Sequence, residues 1–210
     1  MAVASLEGAN FKVFELYQQT MKLYVVRHGR TVDNAKFILQ GHRPGKLSKE
    51  GFRQAEKVAD RLKDVRFDAI YGSDLKRVVD TAKKIIIHHK APVYFRENLR
   101  ERNLGSYQGK KASEVDWNNL PADIETISEM RERVARAVSE IYEKHSQGSV
   151  LIISHGGFIQ VLHAIMSDIS IERFFEMKKP KNTSVYIYEL NDGVKGRIIL
   201  ENCVKHLEEV

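Results

Sequence analysis

Short apolar runs recur along the chain at wide intervals, and amphipathic stretches fill most of the space between them. Residues 21–26, 68–72, 91–95 and 149–154 are compact and rich in Val, Ile, Leu and Tyr. That is the pattern of strands buried on both faces of a parallel sheet. Ser48 can cap a helix running to about residue 65, in which Phe52, Ala55, Val58, Ala59 and Leu62 recur at helical spacing. Ser73 or Asp74 opens a second helix through Ile87. The longest helix is predicted over 124–145, where Ile127, Met130, Val134, Val138 and Ile141 make the apolar stripe. A helix over 157–166 and a shorter one near Phe174 follow. Residues 183–190 and 196–200 read as a closing hairpin turned at Asn191-Asp192-Gly193.

Strands alternating with helices predict an α/β fold, with a mainly parallel central sheet covered on both faces in three layers. Residues 21–210 read as one domain, within which 105–125 is poor in strand signals and resembles a short cap-like insertion. Residues 1–20 precede the first strand as an N-terminal extension. They are either a weak amphipathic helix through Phe11, Phe14, Leu16 and Tyr17 or the product of an upstream start.

Composition narrows the classes of function. The net charge of +6 suits anionic partners. The basic residues are dispersed, however, which speaks against nucleic acid and acidic membranes and for anionic metabolites. Cys203 is the only cysteine, so neither an intrachain disulfide nor a Cys-based zinc site is expected. The N-terminus has no signal-peptide core, and no apolar run approaches the ~20 residues needed to span a bilayer. A cytoplasmic location is the expectation; oligomeric state is open, a homodimer included.

The chemistry collects at strand exits. Arg27-His28-Gly29 follows the first strand, and His155-Gly156-Gly157 follows the fourth. Sites in parallel sheets form beyond the carboxyl ends of the strands, so two histidines so placed predict one two-histidine site. Gly29, Gly156 and Gly157 would let backbone pass close to a ligand, and a helix opening at Gly157 suits an anion. Arg77 lies one turn into the helix after the second strand, where it can turn back and fork a phosphate with Arg27. Arg30, Thr31 and Asn34 continue the loop after His28, as anion ligands or as turn residues. Glu101 follows the third strand, as an acid–base group or as a salt-bridge partner of Arg100 or Arg102. Asn182 either orients ligand or begins a strand. His42, His88-His89 and His163 read as ordinary histidines. Trp117 and Tyr107 either line the pocket mouth or are buried under the cap.

Taken in order, the motifs resemble the histidine phosphatase superfamily, with its phosphoglycerate-mutase-like fold, on the small phosphatase branch. They are Arg27-His28-Gly29 with Thr31 and Asn34, Gln40-Gly41 before Leu47-Ser48 and Gly51, and Ser73-x-Leu75-x-Arg77 with Thr81-Ala82. Leu99-x-Glu101 with Gly105 and Gly109, Glu125-Thr126 with Arg133-Val134, Ser154-His155-Gly156-Gly157 and Asn182-Thr183-Ser184 complete the set.

The resemblance implies a phosphomonoesterase acting on a small phosphorylated metabolite, without metal or cofactor. His28 would attack phosphorus and form a phosphohistidine. Arg27, Arg77 and His155 would stabilise the transferring group, and Glu101 would serve as acid and then base. Gly29, Arg30, Thr31, Asn34, Gln40, Gly41, Gly156 and Asn182 would bind substrate. A cofactor-dependent phosphoglycerate mutase and a non-catalytic phosphate-binding module are the alternatives. The chain departs from the family pattern at Arg30, where Glu or Gln is common, at His42-Arg43-Pro44-Gly45-Lys46, and at Ile124, where Gly is common. The first two make the mouth more basic, which suggests a substrate with more than one anionic group.

Overall fold

The computed structural model describes residues 20–171 and 173–208. The extension read at residues 1–20 therefore lies, Thr20 apart, outside the described residues. Six strands form one sheet: β1 (Met21–Arg27), β2 (Ala69–Ser73), β3 (Val93–Arg96), β4 (Gly148–Ser154), β5 (Val185–Asp192) and β6 (Lys195–Cys203), in the order β3-β2-β4-β1-β5-β6. The four strands from β3 to β1 are parallel. β5 runs antiparallel to β1, and β6 to β5. The chain leaves β1, builds β2 and β3, then returns to insert β4 between β2 and β1.

The two-residue period of the strands sorts the core into two halves. Leu23, Val25, Val150 and Ile152 face α4 (Ile127–Lys144) and α5 (Gly156–Met166), meeting Met130, Val134, Val138, Phe158 and Leu162. Val26, Leu151 and Ile153 face α2 (Lys49–Leu62) and α3 (Lys76–Ile86), meeting Val58, Leu62, Val78 and Ile85. The three-layer arrangement is thus the one that the apolar pattern predicts. No helix among the described residues is long and apolar enough to cross a membrane.

Some element boundaries differ from those the apolar pattern predicts. The long helix starts at Ile127 rather than 124, because Thr126 and Glu129 form a reciprocal capping box. Ile124 instead joins Leu104 and Tyr107 in a small separate cluster. α5 opens one residue early, at Gly156, with His155 as its N-cap. A one-turn helix α1 (Val32–Ala35), capped by Thr31, was not apparent from the sequence. The segment near Phe174 is a single 3-10 turn, Phe174–Glu176, and the final strand runs on to Cys203.

The α2 N-terminus carries the loop after β1. Ser48 caps it by accepting from the Gly51 N–H at 3.0 Å, and the Ser48 N–H and hydroxyl both donate to the Arg30 carbonyl. A side chain at Gly51 would overlap that carbonyl. Gly51→Ala should therefore destabilise the fold by about 1–3 kcal/mol. Urea unfolding measures this, and an unchanged midpoint would show that the close approach is not maintained in solution.

Candidate active site

Parallel pairing of β1 with β4 sets Arg27 opposite Ser154, and the His28 N–H donates to the Ser154 carbonyl at 3.0 Å. The next residue of each strand is a histidine, so the register itself brings the two imidazoles together. Their ring centroids lie 5.3 Å apart at 62°. Both are buried, at 2% and 0% relative exposure.

The His28 ring is held by an Nδ1 contact of 2.8 Å to the Gly29 carbonyl. A carbonyl can only accept, so Nδ1 carries the proton and Nε2 keeps its lone pair. Burial, and then repulsion from Arg77 and Arg27, holds the His28 pKa well below the ordinary value. Burial and the positive field of Arg77, with smaller contributions from His28, Arg27 and His42, do the same to His155. Both imidazoles are neutral at pH 7.

Two buried arginines flank them. Arg27 donates through Nη1 to the Pro180 carbonyl at 2.6 Å, and its Nε has no partner. Arg77 donates through Nη2 to the Gly41 carbonyl at 2.8 Å and through Nη1 to Arg43 and Pro44, so its Nη atoms clasp the 41–44 loop. Its Nε also lacks a partner. The loop carbonyls engage both Nη atoms of Arg77 and its Nε has no partner, so the fork expected to reach phosphate with Arg27 is partly occupied by the protein itself. Burial lowers the Arg77 pKa to about 10, opposed by Glu101, so the group keeps its charge.

Glu101 reaches the same edge. Its carboxylate accepts the Arg102 N–H at 2.9 Å and the Gly157 N–H at 3.1 Å, and it attracts both buried arginines. It pairs with neither Arg100, which binds Asp74 through two hydrogen bonds, nor the Arg102 side chain, whose Nε donates to the Glu125 carbonyl. A side chain at Gly157 would overlap the Glu101 carboxylate. The room the glycines provide is therefore taken up partly by the protein itself. Gly29 packs on the Gly51 backbone, and Gly156 lies beside the Arg27 guanidinium.

The remaining candidates build the scaffold. Arg30 makes a half-exposed ion pair with Glu50 at 2.6 Å, so the free positive charge expected at the rim is neutralised. The Thr31 hydroxyl accepts from the Asn34 N–H and from Gln40 Nε2, and Asn34 Oδ1 accepts the Thr31 N–H. Gln40 Oε1 is buried without a partner. Gly41 turns the loop at φ +50 and presents its carbonyl to Arg77. Asn182 Nδ2 donates to the His28 carbonyl at 3.0 Å.

Some supporting residues have no role legible in sequence. Thr81 accepts the Gly29 N–H at 3.0 Å and donates to the Arg77 carbonyl at 2.8 Å, joining the two ends of the site. Arg133 binds Glu125 and also donates to the Asn98, Arg100 and Glu101 carbonyls, holding the loop that carries Glu101. Both positions belong to the motif set, but spacing alone says nothing of what they touch. His42, read as ordinary, donates through Nε2 to the Glu101 carbonyl at 2.9 Å.

Buried donors without partners converge here: the Nε atoms of Arg27 and Arg77 and the ring of His155. Buried polar groups are normally satisfied, so the cluster is suited to an anionic ligand. A separate groove of about 580 Å³, lined by the 63–68 and 88–91 loops, lies at the opposite, amino edge of the sheet. It contains none of these groups.

The family model described as the histidine phosphatase superfamily (branch 1) matches residues 23–202. Phosphoglycerate mutase-like protein 4 of Arabidopsis thaliana is 35% identical over 207 residues, covering 90% of this chain and 87% of its own. A metal-independent phosphoserine phosphatase of the same plant is 31% identical, covering 91% and 85%. Among solved structures, Bacillus stearothermophilus YhfR superposes with a TM-score of 0.84 at 30% identity, covering 90% of this chain and all of that one.

Neutral buried histidines have a consequence for stability. In the unfolded chain His28 and His155 take up protons near pH 6.5, whereas in the fold they do so only at lower pH. Between those values the unfolded state binds more protons, so the contribution to stability is complete above about pH 6.5 and is lost as pH falls below it. His155→Gln should flatten the fall in urea midpoint between about pH 7.5 and about pH 5. An equally steep fall in the variant would show that His155 is not held neutral by the fold.

Proposed function

The chain belongs to the histidine phosphatase superfamily (branch 1) and is a phosphoric monoester hydrolase, and we propose that it dephosphorylates small metabolites through a phosphohistidine at His28, without a metal ion. The observation that carries the proposal is the His28 ring: Nδ1–H is anchored to the Gly29 carbonyl and Nε2 is left as a neutral nucleophile among unpartnered donors. In the first half-reaction the Nε2–phosphorus bond forms as the bond to the leaving oxygen breaks. Glu101 passes that oxygen a proton, which arrives with the phosphomonoester monoanion. In the second, water attacks phosphorus and gives its proton to Glu101. The phosphorus–nitrogen bond then breaks and inorganic phosphate departs.

Phosphoryl transfer depends chiefly on positioning and on stabilising charge at the phosphoryl oxygens. The free Nε donors of Arg27 and Arg77, with His155, are suited to that work, and two guanidiniums supply positive charge that a metal would otherwise provide. The relative named as a metal-independent phosphoserine phosphatase agrees with this reading. Hydrolysis is favoured over a mutase because the chain between Gly109 and Glu125 holds one 3-10 turn, Ala112–Glu114, and no α-helix. So short a cover leaves water access to the phosphoenzyme.

Brief incubation with a phosphomonoester in EDTA should yield a phosphoenzyme that is stable to base and labile to acid. His28→Ala should neither form it nor turn over substrate while melting like the wild type. Turnover by His28→Ala would overturn nucleophilic catalysis at that residue, and activity lost in EDTA but restored by a divalent ion would overturn the metal-free mechanism.

Glu101→Gln should lower kcat by about 10²–10⁴ on an alkyl phosphate, whose alkoxide must be protonated as it leaves. Its effect on p-nitrophenyl phosphate should be much smaller, because that phenolate leaves unaided. Equal losses on both substrates would rule out Glu101 as the general acid.

A further inference from the structure

We infer that His206, in the C-terminal turn, is a positioning residue for the nucleophile, acting through the strained turn at Thr183; the inference rests on His28 being the nucleophile. Thr183 is buried and β-branched, yet it sits at φ +53, in the left-handed region that such residues rarely adopt. Strain of this kind persists only where the surroundings impose it, and it clusters at functional sites.

The strained turn clasps the end of β1. The Thr183 N–H donates to the Arg27 carbonyl at 3.1 Å, and the Arg27 N–H donates to the Ser184 carbonyl at 3.4 Å. Asn182 Nδ2 donates to the His28 carbonyl at 3.0 Å. Residues 182–184 therefore hold Arg27 and His28 on the side away from β4.

What keeps Thr183 in place comes from further along the chain. His206 lies in the turn Lys205–Leu207, which packs on α2. Its Nδ1 is 3.1 Å from Arg61 Nη1, and its Nε2 is 3.2 Å from the Thr183 hydroxyl. A guanidinium can only donate, so Nδ1 accepts, the proton sits on Nε2, and Nε2–H donates to Thr183 Oγ1. That hydroxyl then donates to the Asn182 carbonyl at 2.8 Å. Hydrogen bonds of fixed direction thus run from Arg61 through His206 and Thr183 to residue 182, whose side chain holds the His28 carbonyl. Arg61 is itself anchored, donating to the Cys203 carbonyl and sulfur.

Burial and the nearby cations Arg61 and Lys57 push the His206 pKa down to about 4, so the ring remains an acceptor for Arg61 at neutral pH.

The test uses the full-length chain with p-nitrophenyl phosphate, measuring kcat, KM, the rate of phosphoenzyme formation by rapid quench, and thermal melting. His206→Leu removes both hydrogen bonds. His206→Gln can restore them, with Oε1 accepting from Arg61 and Nε2 donating to Thr183. Misplacement of a nucleophile lowers the rate of attack more than binding, so His206→Leu should lower kcat and phosphoenzyme formation about tenfold or more, with KM changed less than about twofold. His206→Gln should recover most of the loss. Thr183→Val should match His206→Leu, and the double variant should be no worse than either single one, because both break the same chain. Should His206→Leu fail to fold, Thr183→Ser against Thr183→Val reads the same hydrogen bond, with kcat retained in the first and lost in the second. Full kcat in His206→Leu or Thr183→Val, Gln no better than Leu, or multiplied losses in the double variant would overturn the inference. None of these outcomes bears on His28 as nucleophile, which activity in His28→Ala would refute separately.

Discussion

The parallel register between β1 and β4 is the constraint from which the rest of the site follows. Arg27 pairs with Ser154, and the His28 N–H closes the ladder on the Ser154 carbonyl. A slip of one residue would turn every side chain of β1 to the opposite face. Leu23 and Val25 would then leave the core they share with α4 and α5, and His28 would leave His155. The apolar alternation that stabilises the sheet therefore also sets the spacing of the two imidazoles. The antiparallel strand β5 closes the other side of β1, and the turn leading into it clasps Arg27 and His28. His28, the proposed nucleophile, thus stands on a strand end held from both sides.

Around that strand end the fold gathers two guanidiniums and two imidazoles where water is scarce. Burial and mutual repulsion keep the imidazoles uncharged, while the arginines retain their charge. Loop carbonyls satisfy part of each guanidinium: Pro180 for Arg27, and Gly41, Arg43 and Pro44 for Arg77. Glu101 provides the nearby negative charge. What remains is a set of donors oriented before any ligand arrives, the condition under which electrostatic stabilisation of a phosphoryl group is most effective. Thr81 accepts the Gly29 N–H and donates to the Arg77 carbonyl, so the backbone beside His28 and the backbone of Arg77 are tied together.

Much of this was legible from local pattern. Strand periods and helix stripes predicted the layers, and chemistry at strand exits predicted that His28, Arg77, Glu101 and His155 would share one edge. Where the reading departed from the structure, the cause was a contact between segments distant in sequence. Arg30 finds Glu50 on α2, and Gly29 packs against Gly51, neither of which has a periodic signature. The helix start at 127 was set by the Thr126–Glu129 capping box rather than by apolar residues. The contacts of His206 with Arg61 and Thr183 are not legible in the sequence, because nothing in its neighbourhood along the chain marks it.

By itself the sequence determined which residue types lie at which strand ends, because buried strands need apolar runs and reactive residues follow where those runs stop. It determined the superfamily through seven ordered motifs, and with it the class of phosphoric monoester hydrolase. Only the tertiary structure decided the working details: which His28 nitrogen keeps a free lone pair, which arginine atoms remain available, and which distant residues contact the turn beside His28. The His28 ring is fixed by the carbonyl of its neighbour Gly29, whereas the arginines and the residues around β1 depend on hydrogen bonds between segments tens to more than a hundred residues apart. Such bonds are selected by packing and direction in space, and a one-dimensional pattern carries no record of either.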